Sequence, residues 1–400
     1  METIIQDVAI IGGGIAGLWL HHRLRKAGYQ SVLLEKEVLG GMQSNYSQGI
    51  IHGGTKYSLN GALSKATNAI AEMPTRWQHC IEGQGEIDLR DARIASDHHY
   101  MWSRDRLTSK LTAFFASRAL GDKIESNTSA SRPEAFNNDR FHGNFYALKE
   151  LVLDIPSVIE CLSGPYRDSI YQYNGTQPNT FEVDGEAINA VILQGKQKKV
   201  RIEAQHVIFT AGEGNESLLH SAGFQVPAMQ RRPLHMVLVR HDYPHPIFAH
   251  CIGSGSKPLI TITTHYDSEG RPIWYLGGNL AETGVELDSE RQIQSAKTLL
   301  KDILPWIDLG KTEWKSFLIN RAEPRQNALT RPDSAFVHTQ GNVITAWPTK
   351  LALTPNLADA VFEHLSAPWA QSTPDEVRRE RLAFVPHPPA TPSPWEKYFC

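Results

Sequence analysis

A glycine-rich stretch near the N-terminus, within residues 7–35, constrains the fold of this chain more than any other feature. Val8–Ile11 is a short apolar run, long enough for a buried strand. Three glycines in the spacing Gly-x-Gly-x-x-Gly follow at once, at Gly12, Gly14 and Gly17, and apolar residues then recur at helical spacing. Ser31–Leu34 is a second apolar run, and it ends on the acid Glu35. The order of strand, glycine-rich turn, helix and strand is typical of a dinucleotide-binding unit.

Each glycine of such a unit has a separate physical reason. Gly12 allows the tight turn, Gly14 lets the backbone approach a pyrophosphate, and Gly17 lets the helix pack closely on the strand. The helix N-terminus presents free N–H groups and a positive dipole end to the phosphates. Glu35 stands 18 residues after Gly17, where an acid accepts hydrogen bonds from ribose hydroxyls. The stretch therefore predicts a Rossmann-like βαβ unit.

The composition is that of an ordinary globular protein. Of the 400 residues, 41% are hydrophobic and 21% charged, and the net charge of −3 gives no reason to expect a nucleic acid as partner. The four cysteines are far apart and form no Cys-x-x-Cys pair, which suits a reducing cytosol and argues against structural zinc. The chain begins almost directly with a strand and has no run of about 18 apolar residues. We therefore expect no signal peptide, no transmembrane segment and a cytoplasmic location.

A second glycine-rich segment, residues 49–57, makes the pattern more specific. Together with the opening unit it resembles the FAD-binding motifs of the D-amino acid oxidase superfamily, the second glutathione-reductase type of flavoprotein. Ile50–Tyr57 is similar to the IHGGxRY segment of FAD-dependent glycerol-3-phosphate dehydrogenases and to the IHAGxYY segment of L-2-hydroxyglutarate oxidases. Lys56 stands where the first family has arginine, and this departure loses bidentate anion binding.

The resemblance implies an α/β fold with two domains. We expect a Rossmann-like FAD-binding domain, with a mostly parallel sheet, and a substrate domain with a mixed or antiparallel sheet. The FAD-binding domain would be discontinuous, over 1–85, 145–225 and 325–370, with 86–144 and 226–324 in the substrate domain and 371–400 as a C-terminal extension. Apolar periodicity predicts helices over 61–82, 107–119 and 288–304, a polar surface loop or hairpin over 121–143, and an extended tail on the surface over 385–394.

Three later segments resemble motifs of the same superfamily. Ala211–Asn215 resembles the A-G-x-x-(S/N) turn beneath the cofactor, where Gly212 would let the backbone pass close to FAD; a plain turn glycine is the alternative. Arg321–Pro324 resembles the R-x-x-P that leads the chain back to the flavin. Lys350 matches the lysine of a Gly-Gly-Lys segment of the glycerol-phosphate family, with proline and threonine in place of the glycines. A helix is expected to begin near this lysine.

These resemblances and the local chemistry define a candidate site. Cofactor-binding residues are expected at Gly12, Gly14, Ile15, Ala16, Gly17, Glu35, Lys36, Gly41, Met42, Ser47, Gly53, Gly212, Lys350, Leu351 and Ala352. The candidate catalytic residues are Arg321, Lys56, Tyr57, Lys350 and His52. No metal site is expected.

The candidate catalytic residues have different expected roles. Arg321 would clamp an anionic substrate through its planar guanidinium, and a structural ion pair is the alternative. Lys56 and Tyr57 would lie on the opposite wall, as the resemblance to the glycerol-phosphate family implies. Lys350 either points into the site or is solvated. His52 is a general base, a covalent attachment point for the flavin, or a hydrogen-bonded histidine near the isoalloxazine.

Together these features predict an FAD-dependent oxidase or dehydrogenase. Its substrate C–H would face flavin N5, which accepts a hydride. The expected substrate is small and anionic, namely an amino acid, an N-methyl amino acid or a 2-hydroxy acid. The flavin would be bound non-covalently, and O2 or a quinone would accept the electrons. The alternatives are an enzyme similar to glycerol-3-phosphate dehydrogenase, acting on a phosphorylated polyol, and a protein that binds FAD without turnover.

Overall fold

The computed structural model describes residues 1–53, 65–103, 124–126, 132–173, 180–253, 257–325 and 334–399. Its strands, in chain order, are β1 (Glu2–Ile11), β2 (Ser31–Glu35), β3 (Ile94–Ser96), β4 (His99–Ser103), β5 (Ile124–Ser126), β6 (Phe145–Leu148), β7 (Val152–Leu153), β8 (Ile170–Gln172), β9 (Phe181–Asp184), β10 (Ala187–Gln194), β11 (Lys199–Phe209), β12 (Met229–Arg240), β13 (Ala249–Ile252), β14 (Pro258–Tyr266), β15 (Pro272–Gly277), β16 (Glu313–Pro324), β17 (Phe336–Gln340) and β18 (Val343–Trp347). Its helices are α1 (Ile15–Lys26), α2 (Lys65–Ile81), α3 (Ile155–Ser163), α4 (Asn215–Ser221), α5 (Asn279–Thr283), α6 (Ser289–Ile303), α7 (Thr354–Phe362), α8 (Asp375–Leu382) and α9 (Pro394–Phe399).

The first sheet is built around β1. This strand pairs in parallel with β2 on one side and with β11 on the other, and the sheet order is β17-β18-β11-β1-β2-β8, with β10 and β9 attached at β11. Successive side chains of a strand point to opposite faces, so Val8 and Ile10 enter one core while Ala9 and Ile11 enter another. Helices α1, α2, α3 and α7 cover the first face, and α4, α8 and the β9–β10 hairpin contribute to the second. The predicted strand–turn–helix–strand unit is confirmed.

The second sheet is mixed, as the predicted fold class requires. Its order is β16-β12-β15-β14-β13-β4-β6-β5, and the neighbouring strands are antiparallel except β13 with β4, which is parallel. Helix α6 packs on it and matches the helix predicted over 288–304, beginning after Asp288, whose carboxylate accepts the N–H of Arg291 at 2.8 Å. Because β6 lies in this sheet, we propose that the chain returns to the first sheet after Leu148 rather than at residue 145.

The segment predicted as a polar surface loop or hairpin over 121–143 is partly buried in the structure. It contributes β5 to the second sheet, and Phe136 and Phe141 are both buried in the core of that sheet against Trp306. The predicted surface location was wrong for Phe136 and Phe141, because an aromatic ring buries a large apolar area even within a mostly polar stretch. The helix predicted over 107–119 lies outside the described residues.

The segment predicted as an extended tail, 385–394, is extended in the structure as far as the start of α9. It also forms backbone hydrogen bonds with the loop after β2. The N–H of Leu39 donates to Pro389 at 2.8 Å, and the N–H of Thr391 donates back to Leu39 at 3.1 Å. Helix α9 then places Trp395 on His265, with ring centroids 4.0 Å apart. The extension thus bonds to the loop after β2 and ends in contact with the second sheet. Among the described residues, no helix has both the length and the hydrophobicity that crossing a bilayer requires.

Candidate active site

A cavity of about 1240 Å³ lies where the two sheets meet. One part of its wall follows the carboxyl ends of β1, β2, β11 and β18, the edge at which open α/β sheets bind ligands. The other part comes from β12, β14, β15 and β16 of the second sheet. The volume exceeds the range of about 300–1,000 Å³ that is usual for small-molecule pockets, as a dinucleotide together with a substrate requires.

The three glycines of the turn after β1 have different surroundings. Gly12 has a φ of +117°, and a Cβ there would lie 2.6 Å from the backbone of Ala211. A Cβ on Gly17 would overlap the carbonyl oxygen of Gly12, so this glycine allows α1 to approach the turn. Gly14, with a φ of −74°, borders the cavity, and its Cβ would meet only the Oγ of Ser44 at 3.2 Å. Gly12 and Gly17 are therefore required by the fold, whereas Gly14 leaves space for a ligand.

Glu35 is held at the cavity wall by backbone N–H groups. The N–H of Gly13 donates to one carboxylate oxygen at 2.6 Å, and the N–H of Glu37 donates to the other at 2.9 Å. Burial raises the pKa of Glu35 above its ordinary value, although the two N–H donors oppose the shift. The acid predicted to face a ribose thus has a fixed orientation.

Most of the predicted cofactor-binding residues line the cavity. They are Gly12, Gly14, Ile15, Ala16, Glu35, Lys36, Gly41, Met42, Ser47, Gly212, Lys350, Leu351 and Ala352. Two of the predicted residues lie outside the wall, and their role in cofactor binding stays a prediction. Gly17 is beneath the wall, because it packs against Gly12. Gly53 is not in the wall either, and its N–H donates to Glu150 at 2.8 Å.

Sequence reasoning missed a polar contact at the start of α1. Ser44, in the loop after β2, accepts the N–H of Ile15 through its Oγ at 2.9 Å and lines the cavity. No spacing rule links a serine in that loop to this N–H, so the sequence carried no signal for it. The serine adds a hydroxyl beside the N–H groups of the helix N-terminus.

The segment after β18 differs from its prediction in one respect. Helix α7 begins at Thr354, after a short 3₁₀ turn over Leu351–Leu353, rather than near Lys350. Pro355 explains the delay, since a proline is favoured in the first helical turn and not inside a helix. Lys350 is buried and lines the cavity all the same. Trp347 donates its indole N–H to the carbonyl oxygen of Gly212 at 3.0 Å, which joins the ends of β18 and β11.

Arg321 projects from β16 into the cavity wall and is paired there. Its guanidinium lies 3.4 Å from the carboxylate of Glu282, which also accepts a hydrogen bond from Lys257. Burial opposes ionisation of Glu282, but the bond from Lys257 and the charge of Arg321 outweigh it and lower the pKa of this carboxyl. All three side chains line the cavity. Sequence reasoning found Arg321 and missed its two neighbours.

His52 also lines the cavity, and its ring belongs to a cluster of three histidine rings. Its Nδ1 lies 3.0 Å from Oε2 of Glu150, and its ring is stacked on that of His250, with centroids 5.6 Å apart. His99 meets His250 edge to face at 4.2 Å, and the Nδ1 of His250 lies 2.7 Å from the hydroxyl of Thr261. The remaining candidates, Lys56 and Tyr57, lie outside the described residues.

These residues fit flavin adenine dinucleotide. Gly14 offers backbone with no side chain at the position where a pyrophosphate would lie, α1 begins beside it, and Glu35 is fixed at the end of β2. The cavity then continues to Arg321 and His52, which leaves a polar region for a substrate.

Comparison with known proteins gives the same result. A family model described as FAD dependent oxidoreductase (DAO) matches residues 7–314. The probable FAD-dependent oxidoreductase PA4991 of Pseudomonas aeruginosa is 45% identical over 400 residues, which is the full length of both chains. Its crystal structure superposes with a TM-score of 0.84 over the whole of both chains, and the structural alignment gives 40% identity.

More distant solved structures share the fold. Glycine oxidase of Geobacillus kaustophilus has a TM-score of 0.65 at 15% identity, over 92% of this chain and 97% of its own. L-alpha-glycerophosphate oxidase of Mycoplasma pneumoniae, solved with FAD bound, has a TM-score of 0.62 at 13% identity, over 94% and 97%. At this level of identity the likeness concerns the fold alone.

Proposed function

The chain belongs to the FAD dependent oxidoreductase (DAO) family and is an FAD-dependent oxidase or dehydrogenase, and from this we propose that it oxidises a small anionic substrate. The candidates are an amino acid, an N-methyl amino acid and a 2-hydroxy acid. The proposed electron acceptor is O2 or a quinone. The observation that carries the proposal is the group of charges on the cavity wall formed by Arg321, Lys257 and Glu282.

This charged group favours one part of the substrate list. Two cations and one carboxylate leave a net positive charge, which attracts an anion, and the guanidinium of Arg321 matches a carboxylate in two hydrogen bonds. Glu282 presents a carboxylate 3.4 Å from that guanidinium, so a ligand with an ammonium beside its own carboxylate would satisfy both. An amino acid or an N-methyl amino acid has this arrangement, whereas a 2-hydroxy acid has only the anion. We therefore place the amino acids first.

One group of residues would bind the cofactor, and another would bind the substrate. When bound, FAD supplies a hydride acceptor. Gly14 and the N-terminus of α1 would hold the pyrophosphate, and Glu35 would accept hydrogen bonds from ribose hydroxyls. Arg321 would fix the substrate carboxylate and thereby orient its α-carbon. Lys350, buried in the first turn after β18, would place a positive charge at the cavity wall.

A phosphorylated polyol is the second candidate, and a specific observation favours it. Lys257 and Arg321 converge on one acceptor group, the carboxylate of Glu282, and Arg231 and Arg232 also line the cavity. A phosphate is a stronger acceptor than a carboxylate and would suit several cations. Glu282 counts against it, because a dianion near this carboxylate is repelled.

Turnover assays over a substrate panel test the proposed function. The panel contains glycine, sarcosine, both alanine enantiomers, glycolate, lactate and glycerol 3-phosphate, with oxygen consumption and reduction of a soluble quinone as readouts. We expect turnover with an amino acid or an N-methyl amino acid, and slower or no turnover with the hydroxy acid of the same size. Faster turnover of glycerol 3-phosphate would favour the second candidate. Absence of turnover with every small anion would contradict the proposal.

We further propose that FAD is bound without a covalent bond, although His52 borders the cavity. The segment around it resembles the IHGG segments of a family that binds FAD non-covalently, and the contact with Glu150 occupies Nδ1, one of its two ring nitrogens. Acid precipitation of the purified protein should release all of the yellow colour into the supernatant. Flavin fluorescence that stays with the denatured band on a gel would show covalent attachment instead.

A further inference from the structure

We propose that Glu150 is a positioning residue for His52, and that it holds the imidazole with a hydrogen at Nδ1 and with Nε2 as the acceptor. The inference rests on the proposed function, since it assigns a proton-accepting role in the cavity. It concerns a residue that no sequence motif indicated. Glu150 is 4% exposed and reaches His52 from 98 residues further along the chain.

Both oxygens of the Glu150 carboxylate contact the same short segment, at the adjacent residues His52 and Gly53. Oε2 lies 3.0 Å from Nδ1 of His52, and Oε1 accepts the N–H of Gly53 at 2.8 Å. A carboxylate held at both oxygens has a fixed rotamer, and hydrogen bonds to an ionised group are about twice as strong as neutral ones. The orientation of the imidazole is therefore set by two adjacent contacts rather than by one.

The backbone explains why these residues meet. The N–H of Ile51 donates to Leu151 at 2.8 Å, and the N–H of Leu153 donates to Gly49 at 2.9 Å. These bonds lay segment 49–53 against segment 150–153, so Glu150 lies opposite His52 at the end of the paired region. The burial of both Ile51 and Leu153 in the core of the first sheet keeps this register.

The contact decides which nitrogen can accept a proton. A carboxylate only accepts hydrogen bonds, so Nδ1 of His52 is the donor, and in the neutral imidazole Nε2 is then the acceptor nitrogen. The charge of Glu150 also stabilises the imidazolium that forms when Nε2 takes a proton. In that step the N–H or O–H bond of the substrate breaks, its proton passes to Nε2, and the bonding electron pair stays on the substrate heteroatom. Among the residues that the structure describes, two further titratable groups face this ring: His250, which is stacked on it, and His99, whose ring centroid lies at 6.3 Å.

The test uses the FAD-loaded enzyme, two variants at position 150 and one control variant at position 269. Glu150→Gln keeps the shape and removes the charge, Glu150→Asp keeps the charge at shorter reach, and Glu269→Gln is a control that removes the same charge from an exposed site outside the cavity. In Glu150→Gln we expect kcat to fall about 10-fold to 100-fold with KM little changed, and the pH midpoint of kcat to move down by about one unit. Glu150→Asp should restore part of kcat, and the control should match wild type.

A double-mutant cycle and a spectroscopic readout separate positioning from simple stabilisation. If Glu150 acts through His52, Glu150→Gln should add almost nothing to the loss caused by His52→Gln. Losses that multiply in the double variant, or a loss of FAD content with an unchanged pH profile, would overturn the proposal. Nitrogen NMR of histidine-labelled wild type should show the Nδ1–H form of His52. This spectrum does not depend on turnover, so it tests the role of Glu150 even if no substrate of the panel is oxidised. Absence of turnover would then contradict the proposed function alone.

Discussion

Replacing Gly14 by valine is expected to abolish FAD binding while leaving the chain folded. Gly14 has a φ of −74°, which any L-residue adopts, and a Cβ there meets only the side chain of Ser44. The two further methyl groups of valine would extend into the cavity where the pyrophosphate approaches the backbone. Purified Gly14→Val protein should be colourless, with a circular dichroism spectrum like that of FAD-stripped wild type. Stoichiometric FAD in this variant would refute the cofactor assignment.

Two other glycines provide matched controls for this experiment. Gly164→Val changes a glycine with open space around it, away from the cavity, and should leave FAD content unchanged. Gly12→Val should instead fail to fold, because its φ of +117° and the nearby backbone of Ala211 exclude a side chain. A variant series that lost FAD at all three positions equally would point to general destabilisation.

Replacing Arg321 by alanine should weaken the binding of carboxylate ligands by about 2–5 kcal/mol, with FAD still bound. The loss has two parts. The bidentate hydrogen bonds of Arg321 to the ligand are missing, and Glu282, now paired only with Lys257, repels the ligand carboxylate. Arg321→Lys should recover only part, since an ammonium lacks the planar fork. The measurement is a titration of each holoprotein with methoxyacetate, a carboxylate that has no ammonium, followed by the flavin absorbance.

Glu282→Gln is the matched control, because it should change the affinity for methoxyacetate in the opposite direction. Removal of its negative charge should strengthen methoxyacetate binding and weaken the binding of sarcosine, which has the same shape but carries an ammonium. Unchanged affinity of Arg321→Ala for both ligands would make Arg321 a structural ion pair. Lys350, and Lys56 outside the described residues, would then remain as candidate anion sites.

The sequence predicted the first βαβ unit well because its signals are local. A strand, a glycine-rich turn and a helix in immediate succession each have a spacing rule, and the reasons for Gly12 and Gly17 are seen in the backbone around them. The second, mixed sheet was predicted from the family resemblance, and the structure contains it. The domain boundaries and the cytoplasmic location stay predictions.

The charged partners could not be predicted because they are distant in the chain. Glu282 lies 39 residues from Arg321, and Glu150 lies 98 residues from His52, so only the packing of the two sheets brings them together. A mostly polar stretch can likewise hide buried residues, as Phe136 and Phe141 show. Helix starts shift where a proline restricts the first turn, as Pro355 does for α7.

The most direct test of the central claim is anaerobic mixing of the FAD-loaded protein with the substrate panel while the visible absorbance of the flavin is followed. We predict that an amino acid or N-methyl amino acid bleaches the oxidised flavin in one turnover, and that deuterium at its α-carbon slows the bleaching. Arg321→Ala should require far more substrate for the same rate. Flavin that stays oxidised with every small anion, in protein fully loaded with FAD, would contradict the account.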